Sequence, residues 1–197
     1  MILADPRHEP KVRQGVTSEV VGVDGLSYAP LPSRADLAAL IEMNAGLDGA
    51  PDIEADWESV AAYLERFDGR VAVNIGLLVG NSALRISRLG WEDVPADGAA
   101  VADMRQLLAD SMKAGALGLS SGLDYPPGSF ATTNELAALT AEAARHGARG
   151  AGAAERIEHE VVGPRRRQDH ARQQRLRLLR RMQLLAVAAF QPLLAGA

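Results

Sequence analysis

The chain has 197 residues, no cysteine, and 21 Lys+Arg against 25 Asp+Glu, a net charge of −4. That excludes a disulfide scaffold and a zinc site built on thiolates, and the length suits one domain or one domain with a tail. The N-terminus MILADPRHEP has no basic-then-apolar signal pattern and the longest apolar stretch, near 184–189, is too short to span a bilayer, so the expected setting is the cytoplasm, away from any membrane.

In chain order, VRQGVTSEVVGV (12–23) holds a β-branched run between glycines and reads as a strand. The loop GVDGLSYAPLP follows, and Ser33 with Asp36 resembles a helix N-cap before Leu37, Leu40 and Ile41. Asp56 can cap a second helix over 57–67, with Trp57, Val60, Leu64 and Phe67 on one side. VAVNIGLLVG (71–80) is nearly all apolar, the pattern of a strand covered on both faces of a parallel sheet. A helix over 98–114 carries the stripe Val101, Met104, Leu108 and Met112 and ends at Gly115. ALGLSSG (116–122) is a short strand, and Thr132 with Glu135 forms a capping box for a helix running to about Arg145. Strands alternating with helices predict an α/β fold with three parallel strands. On pattern alone, a doubly wound sheet and a (β/α)8 barrel both remain open.

In such folds the site lies in the loops after the strands. The three candidates are GVDGLSYAP (22–30), GNSALR (80–85) and SGLDYPPG (121–128). Asp24, between Gly22 and Gly25, has a carboxylate that can approach a ligand or metal, and is equally well read as a turn aspartate. Arg85 can clamp an anion, although a surface arginine is the commoner case. Tyr125 can donate a hydrogen bond to substrate or simply pack in its loop. The histidines form no His-x-His or His-Glu-x-x-His pair; His8 reads as a loop residue and His146 as a cation at a helix end. Ser120-Ser121 is not a nucleophile elbow, and no phosphate loop or dinucleotide fingerprint is present. Spacing alone names a site region and no reaction.

These same loops carry a resemblance. QGVTSEVVGVDGLSYAPL (14–31), AVNIGLLVGNSALR (72–85) and MRQLLADSMKAGALGLSSGLDYPPGSFATTNELAAL (104–139) are similar to three ordered blocks of the N-acyl-D-amino-acid deacylases, or D-aminoacylases. The similarity covers about residues 1–147. That family belongs to the metal-dependent amidohydrolases, so the resemblance implies an incomplete (β/α)8 TIM barrel and hydrolysis of N-acyl-D-amino acids to a carboxylate and a D-amino acid. It implies zinc as cofactor, lowering the pKa of a bound water and polarising the amide carbonyl. It places Asp24 where many members have a metal-bridging cysteine, and Tyr125 at a tyrosine near the substrate. Arg85 matches the arginine after the L-V-G block, a second substrate-binding candidate. Asn81 replaces the histidine of L-V-G-H-G and Ser82 its second glycine. The family's His-x-His is expected just before Met1. Its later histidines and catalytic aspartate are expected beyond about residue 150, where Thr-His-x-Arg is not found. No catalytic residue is therefore assigned, and His159 is not taken as a ligand.

From residue 148 the composition flips. Residues 1–147 carry 11 basic and 21 acidic side chains, a net −10, and residues 148–197 carry 10 arginines and 4 acids, a net +6. The acidic body argues against nucleic acid as partner. Three readings of the tail compete: an amphipathic basic helix for an anionic surface, a helix docked on the acidic body, and a GC-rich gene read out of frame. The third is preferred, because the family-like text stops abruptly where the composition changes. The expectation is a partial hydrolase barrel (1–147) with a non-matching helical or disordered tail, prone to aggregation and with little or no activity alone. The competing expectation is a catalytically dead fragment that binds a partner through its basic tail.

Overall fold

The computed structural model describes residues 2–49, 52–148 and the backbone of 150–151. The tail beyond Ala151, and with it every reading of that segment, lies outside the described residues.

Four strands form one sheet: β1 (Ser18–Val21), β2 (Asn74–Gly80), β3 (Gly118–Ser120) and β4 (Gly150–Ala151). Every neighbouring pair is parallel, and the spatial order β1-β2-β3-β4 follows the chain without reversal. Three strands were expected; the fourth pairs Gly150 and Ala151 with Gly118 and Leu119, within the segment assigned to the tail. Two residues carry too little periodicity to be read as a strand.

Helices fill the crossovers, as parallel strands require. Short α1 (Glu9–Val12) precedes β1. α2 (Arg34–Met43), α3 (Ala45–Asp48) and α4 (Val60–Glu65) lie between β1 and β2. α5 (Asn81–Leu89) and α6 (Gly98–Lys113) lie between β2 and β3, and α7 (Thr133–Arg145) joins β3 to β4. Two N-caps, Ser33 and Thr132, appear where the sequence puts them, and Asp97, not read as a cap, adds a third. Ser33, Asp97 and Thr132 each accept a hydrogen bond from the backbone N–H three residues on. On α6, Met104 and Leu108 are fully buried, while Val101 and Met112 pack partly buried at the edge of the same core. The core is completed by Leu37 and Leu40 of α2, Leu77 and Val79 of β2, Leu84 of α5 and Leu139 of α7.

Three expectations need correction. The strand expected over 12–23 shrinks to Ser18–Val21. Pro10, which suits the first turn of a helix, is the second residue of α1, and Gly15 turns the chain at a positive φ of 84°. The helix expected over 57–67 with Asp56 as cap runs only from Val60 to Glu65 and is capped by Ser59. Asp56 instead pairs with Arg66, and Trp57 sits before the helix, its indole N–H donating to Tyr28 O at 2.7 Å. The apolar spacing nonetheless marks real neighbours: Tyr63 stacks between Trp57 and Phe67 at centroid distances of 4.9 and 5.0 Å. Finally, GNSALR is not a loop. Gly80 leaves β2 and α5 begins at Asn81. The polar α5 residues Asn81, Ser82 and Arg85 are buried together with Ala83, Leu84 and Ile86, so the side that reads as solvated in the sequence faces protein.

Candidate functional site

β1, β2 and β3 end together, and the chain that leaves each of them is stitched to the others. After β1 comes the tight turn Gly22–Gly25, with φ values of 77° at Gly22, 56° at Asp24 and 72° at Gly25. Asp24 is the sole non-glycine in that turn with positive φ, a conformation aspartate tolerates better than most L-residues. After β2 comes the first turn of α5, where Ser82 N–H donates to Gly25 O at 3.0 Å. After β3 come Ser121 and Gly122, and Gly122 N–H donates to Asn81 Oδ1 at 3.2 Å. A Cβ on Gly25 would run into Gly122 N and Asn81 Oδ1, and one on Gly122 would run into Asp24 O and the Tyr125 hydroxyl. These contacts need bare backbone, which explains the glycines in the family-like text.

The three candidate side chains have different fates. Asp24 is exposed at this end of the sheet. Tyr125 lies beside it, and its hydroxyl donates to Asp24 O. Burial, and next its contact with Asp24, push the Tyr125 hydroxyl well above the usual phenol range, so it stays protonated and acts as a donor at any physiological pH. Arg85, by contrast, does not reach solvent: its side chain is 0% exposed. Its Nη1 donates to Glu135 Oε2 at 2.5 Å and its Nη2 to Val94 O at 2.7 Å. The guanidinium thus ties α5 to the first turn of α7 and to the loop before α6. Burial pushes the Glu135 carboxyl up, and the charge of Arg85 opposes that shift. As placed, Arg85 braces the helices around the site.

Asn81 and Ser82, where the sequence departs from the family pattern, are also fully buried. Asn81 Oδ1 is used by Gly122, whereas Asn81 Nδ2, Ser82 Oγ and Ser121 Oγ have no hydrogen-bond partner. Sequence reasoning missed Ser120. Its hydroxyl accepts from Gly25 N at 3.1 Å and donates to Gly22 O at 2.5 Å. Only its partners, 95 and 98 residues distant, reveal it.

A zinc site takes three or four protein ligands. Among the described residues no group of three or more His, Cys, Asp or Glu side chains could hold a metal ion. His8 lies against Glu19 at 3.1 Å, and His146 ends α7 beside Glu142 at 3.4 Å, so each is paired with a carboxylate outside the three loops. Asp24 is a single candidate ligand, and the described residues do not by themselves fit a zinc site. Among them, too, no helix is long and apolar enough to cross a membrane.

No protein-family profile matches the chain. An N-acyl-D-glutamate deacylase of Alcaligenes xylosoxydans xylosoxydans is 36% identical over 148 residues, covering 75% of this chain and 29% of that protein. The structure of a D-aminoacylase with a binuclear metal centre superposes with a TM-score of 0.64 at 29% identity, over 81% of this chain and 32% of that one. The N-acyl-D-glutamate deacylase of Bordetella bronchiseptica, in complex with zinc and a phosphonate that mimics the tetrahedral intermediate, superposes with a TM-score of 0.61 at 31% identity, over 74% of this chain and 29% of that one. The chain spans about a third or less of the length of these relatives. Over that partial segment the chain is similar to N-acyl-D-amino-acid deacylases and to D-aminoacylase, whose structure defines a subset of the amidohydrolases.

Proposed function

We propose that residues 1–147 form part of an incomplete (β/α)8 barrel of an N-acyl-D-amino-acid amidohydrolase, with Asp24 and Tyr125 on its catalytic face. Support for the barrel comes from the strand order, which follows the chain with no switch point. A doubly wound sheet reverses order at its site, and a barrel does not. The observation that carries the functional reading is the placement of Asp24: an exposed carboxylate at the C-terminal end of the parallel strands, on a turn held by Ser120 at the end of β3 and by Ser82 in the first turn of α5.

In this reading Tyr125 supplies a neutral hydroxyl to an acyl or carboxylate oxygen of the substrate, exchanging its bond to Asp24 O for one to the ligand. Asp24 supplies one carboxylate oxygen donor of the kind zinc accepts. Arg85 acts indirectly by fixing the helices behind the site. Among the described residues Asp24 is the single candidate ligand; in this reading the 197-residue chain releases no D-amino acid on its own. The substrate is a small N-acyl-D-amino acid.

Calorimetric titration of the whole chain with N-acetyl-D-glutamate and its L-enantiomer tests this reading, alongside an assay for free D-glutamate with added zinc. Expected are saturable binding that favours the D form, weakened by Asp24→Asn and Tyr125→Phe, and no release. Equal binding of both enantiomers, or binding indifferent to both variants, overturns the site assignment. Robust zinc-dependent release overturns the expected inactivity.

A further inference from the structure

We propose that Ser120, the last residue of β3, is a positioning residue for Asp24. The inference rests on the reading of Asp24 as a functional carboxylate and extends it to the group that holds this carboxylate in place. The Ser120 side chain is buried, with the residue only 1% exposed. Its oxygen accepts from Gly25 N–H and its single proton goes to Gly22 O. One hydroxyl therefore bonds both ends of the four-residue turn that carries Asp24, at Gly22 O and at Gly25 N.

The turn needs such a clasp. Three of its four residues sit at positive φ, a state the chain leaves readily when nothing holds it. Within the turn itself the backbone supplies only Leu26 N–H to Val23 O, at 3.2 Å. The remaining restraints come from outside: Ser82 N–H on Gly25 O, the Tyr125 hydroxyl on Asp24 O, and the two bonds of Ser120. Of these, Ser120 alone grips residues on both sides of Asp24. Tyr125 is partly exposed and is the restraint a ligand can displace, so the buried serine is what keeps the carboxylate placed while Tyr125 turns to substrate. Serine at this position thus acts on the site through backbone, without touching a ligand.

The test uses the full chain as Ser120→Ala, Ser120→Thr and Tyr125→Phe variants, with amide hydrogen exchange and Asp24 Cα and Cβ chemical shifts read by NMR. Loss of the serine hydroxyl is expected to speed exchange at Gly25 about tenfold or more, by removing its sole acceptor. It is also expected to move the Asp24 shifts away from left-handed values, while the amides of Val79 and Leu119 keep their protection. Threonine, which keeps the hydroxyl, is expected to restore both signals. Unchanged exchange at Gly25 in Ser120→Ala overturns the proposal, as does a uniform rise across Val79 and Leu119, which would make Ser120 a general stabilising residue. If Ser120→Ala does not fold, Ser120→Thr and Tyr125→Phe still decide. Threonine must preserve the Gly25 protection, and Tyr125→Phe must leave Gly25 protected, because Ser120 still holds it; exposure in either overturns the assignment. Failure of the underlying reading shows elsewhere, in N-acetyl-D-glutamate binding that ignores Asp24→Asn, and so is distinguishable from failure of the clasp.

Discussion

Replacing Arg85 by Met separates its bracing role from the role of an anion clamp. Both Arg85 and Glu135 side chains are 0% exposed, joined at 2.5 Å, with a second bond from the guanidinium to Val94 O. The methionine fills much of the arginine stem's volume but strands a buried carboxylate and a carbonyl. Removing one partner of a buried pair costs about 3–5 kcal/mol. The pair is imperfect, since Arg85 Nε and Glu135 Oε1 lack partners, which puts the expected loss near the lower end, ~3 kcal/mol. That is a large part of the roughly 5–15 kcal/mol that holds a domain together. The double variant Arg85→Met, Glu135→Leu removes both charges and should recover most of the loss, because an apolar pair needs no desolvated charge. Burial already raises the Glu135 carboxyl, and without Arg85 it rises further. The carboxyl of Arg85→Met then takes up a proton on folding, so the deficit shrinks as pH falls. Urea unfolding followed by circular dichroism at two pH values reads all three effects. A loss below about 0.5 kcal/mol, the size of an ordinary surface substitution, refutes the bracing role. So does a deficit independent of pH.

Other outcomes follow from the same geometry. Asp24→Gly should raise stability by about 0.5–1 kcal/mol in urea unfolding, since glycine accepts the left-handed turn without a Cβ penalty, whereas Asp24→Val should lower it. Gly122→Ala drives a methyl into Asp24 O and the Tyr125 hydroxyl and should cost about 1–3 kcal/mol in the same assay. Acid should destabilise the fold through Glu19 and Glu142. Burial pushes Glu19 up, but hydrogen bonds and charge from Lys11 and His8 outweigh it, and the net shift is downward. Hydrogen bonding to Arg105 holds Glu142 low despite some desolvation. A depressed folded value means the stabilisation is complete above the unfolded value of 4.5 and is lost as pH falls through the folded one. Glu135, whose value is raised, contributes with the opposite sign. A thermal midpoint that does not drop below pH 4.5 would count against this ordering.

What the sequence reveals of the fold is what local chemistry decides. Ser33 and Thr132 read as caps because the acceptor and the N–H it serves are three residues apart. The stripe of α6 reads as a helix because one face is buried and the other wet. α5 escapes because Asn81 and Ser82 directly after Gly80 look like loop residues, yet form a buried first turn, and Asp56 misleads because its carboxylate pairs with Arg66. The same division runs through the site. Asp24 and Tyr125 draw notice as residue types in glycine-bracketed loops. Arg85 looks no different in sequence from an exposed arginine, and only Glu135, fifty residues away, shows that it is spoken for.

The family-like text and the chemistry are connected through backbone contact. The three similar blocks meet where one strand-end loop presses on another: Gly25 against Gly122, Gly122 against Asp24, Ser82 against Gly25. A side chain larger than hydrogen at Gly25 or Gly122 would push those loops apart. Gly25 and Gly122 thus build the floor on which, of the residues singled out in those loops, Asp24 and Tyr125 stand. Asn81 stands where the resemblance expects a histidine. At that position the side chain is fully buried and its oxygen meets Gly122 N–H, a task an amide performs without a titratable group. The backbone contacts that join the three blocks are thus distinct from the side chains that would hold a metal, of which Asp24 is the single candidate among the described residues.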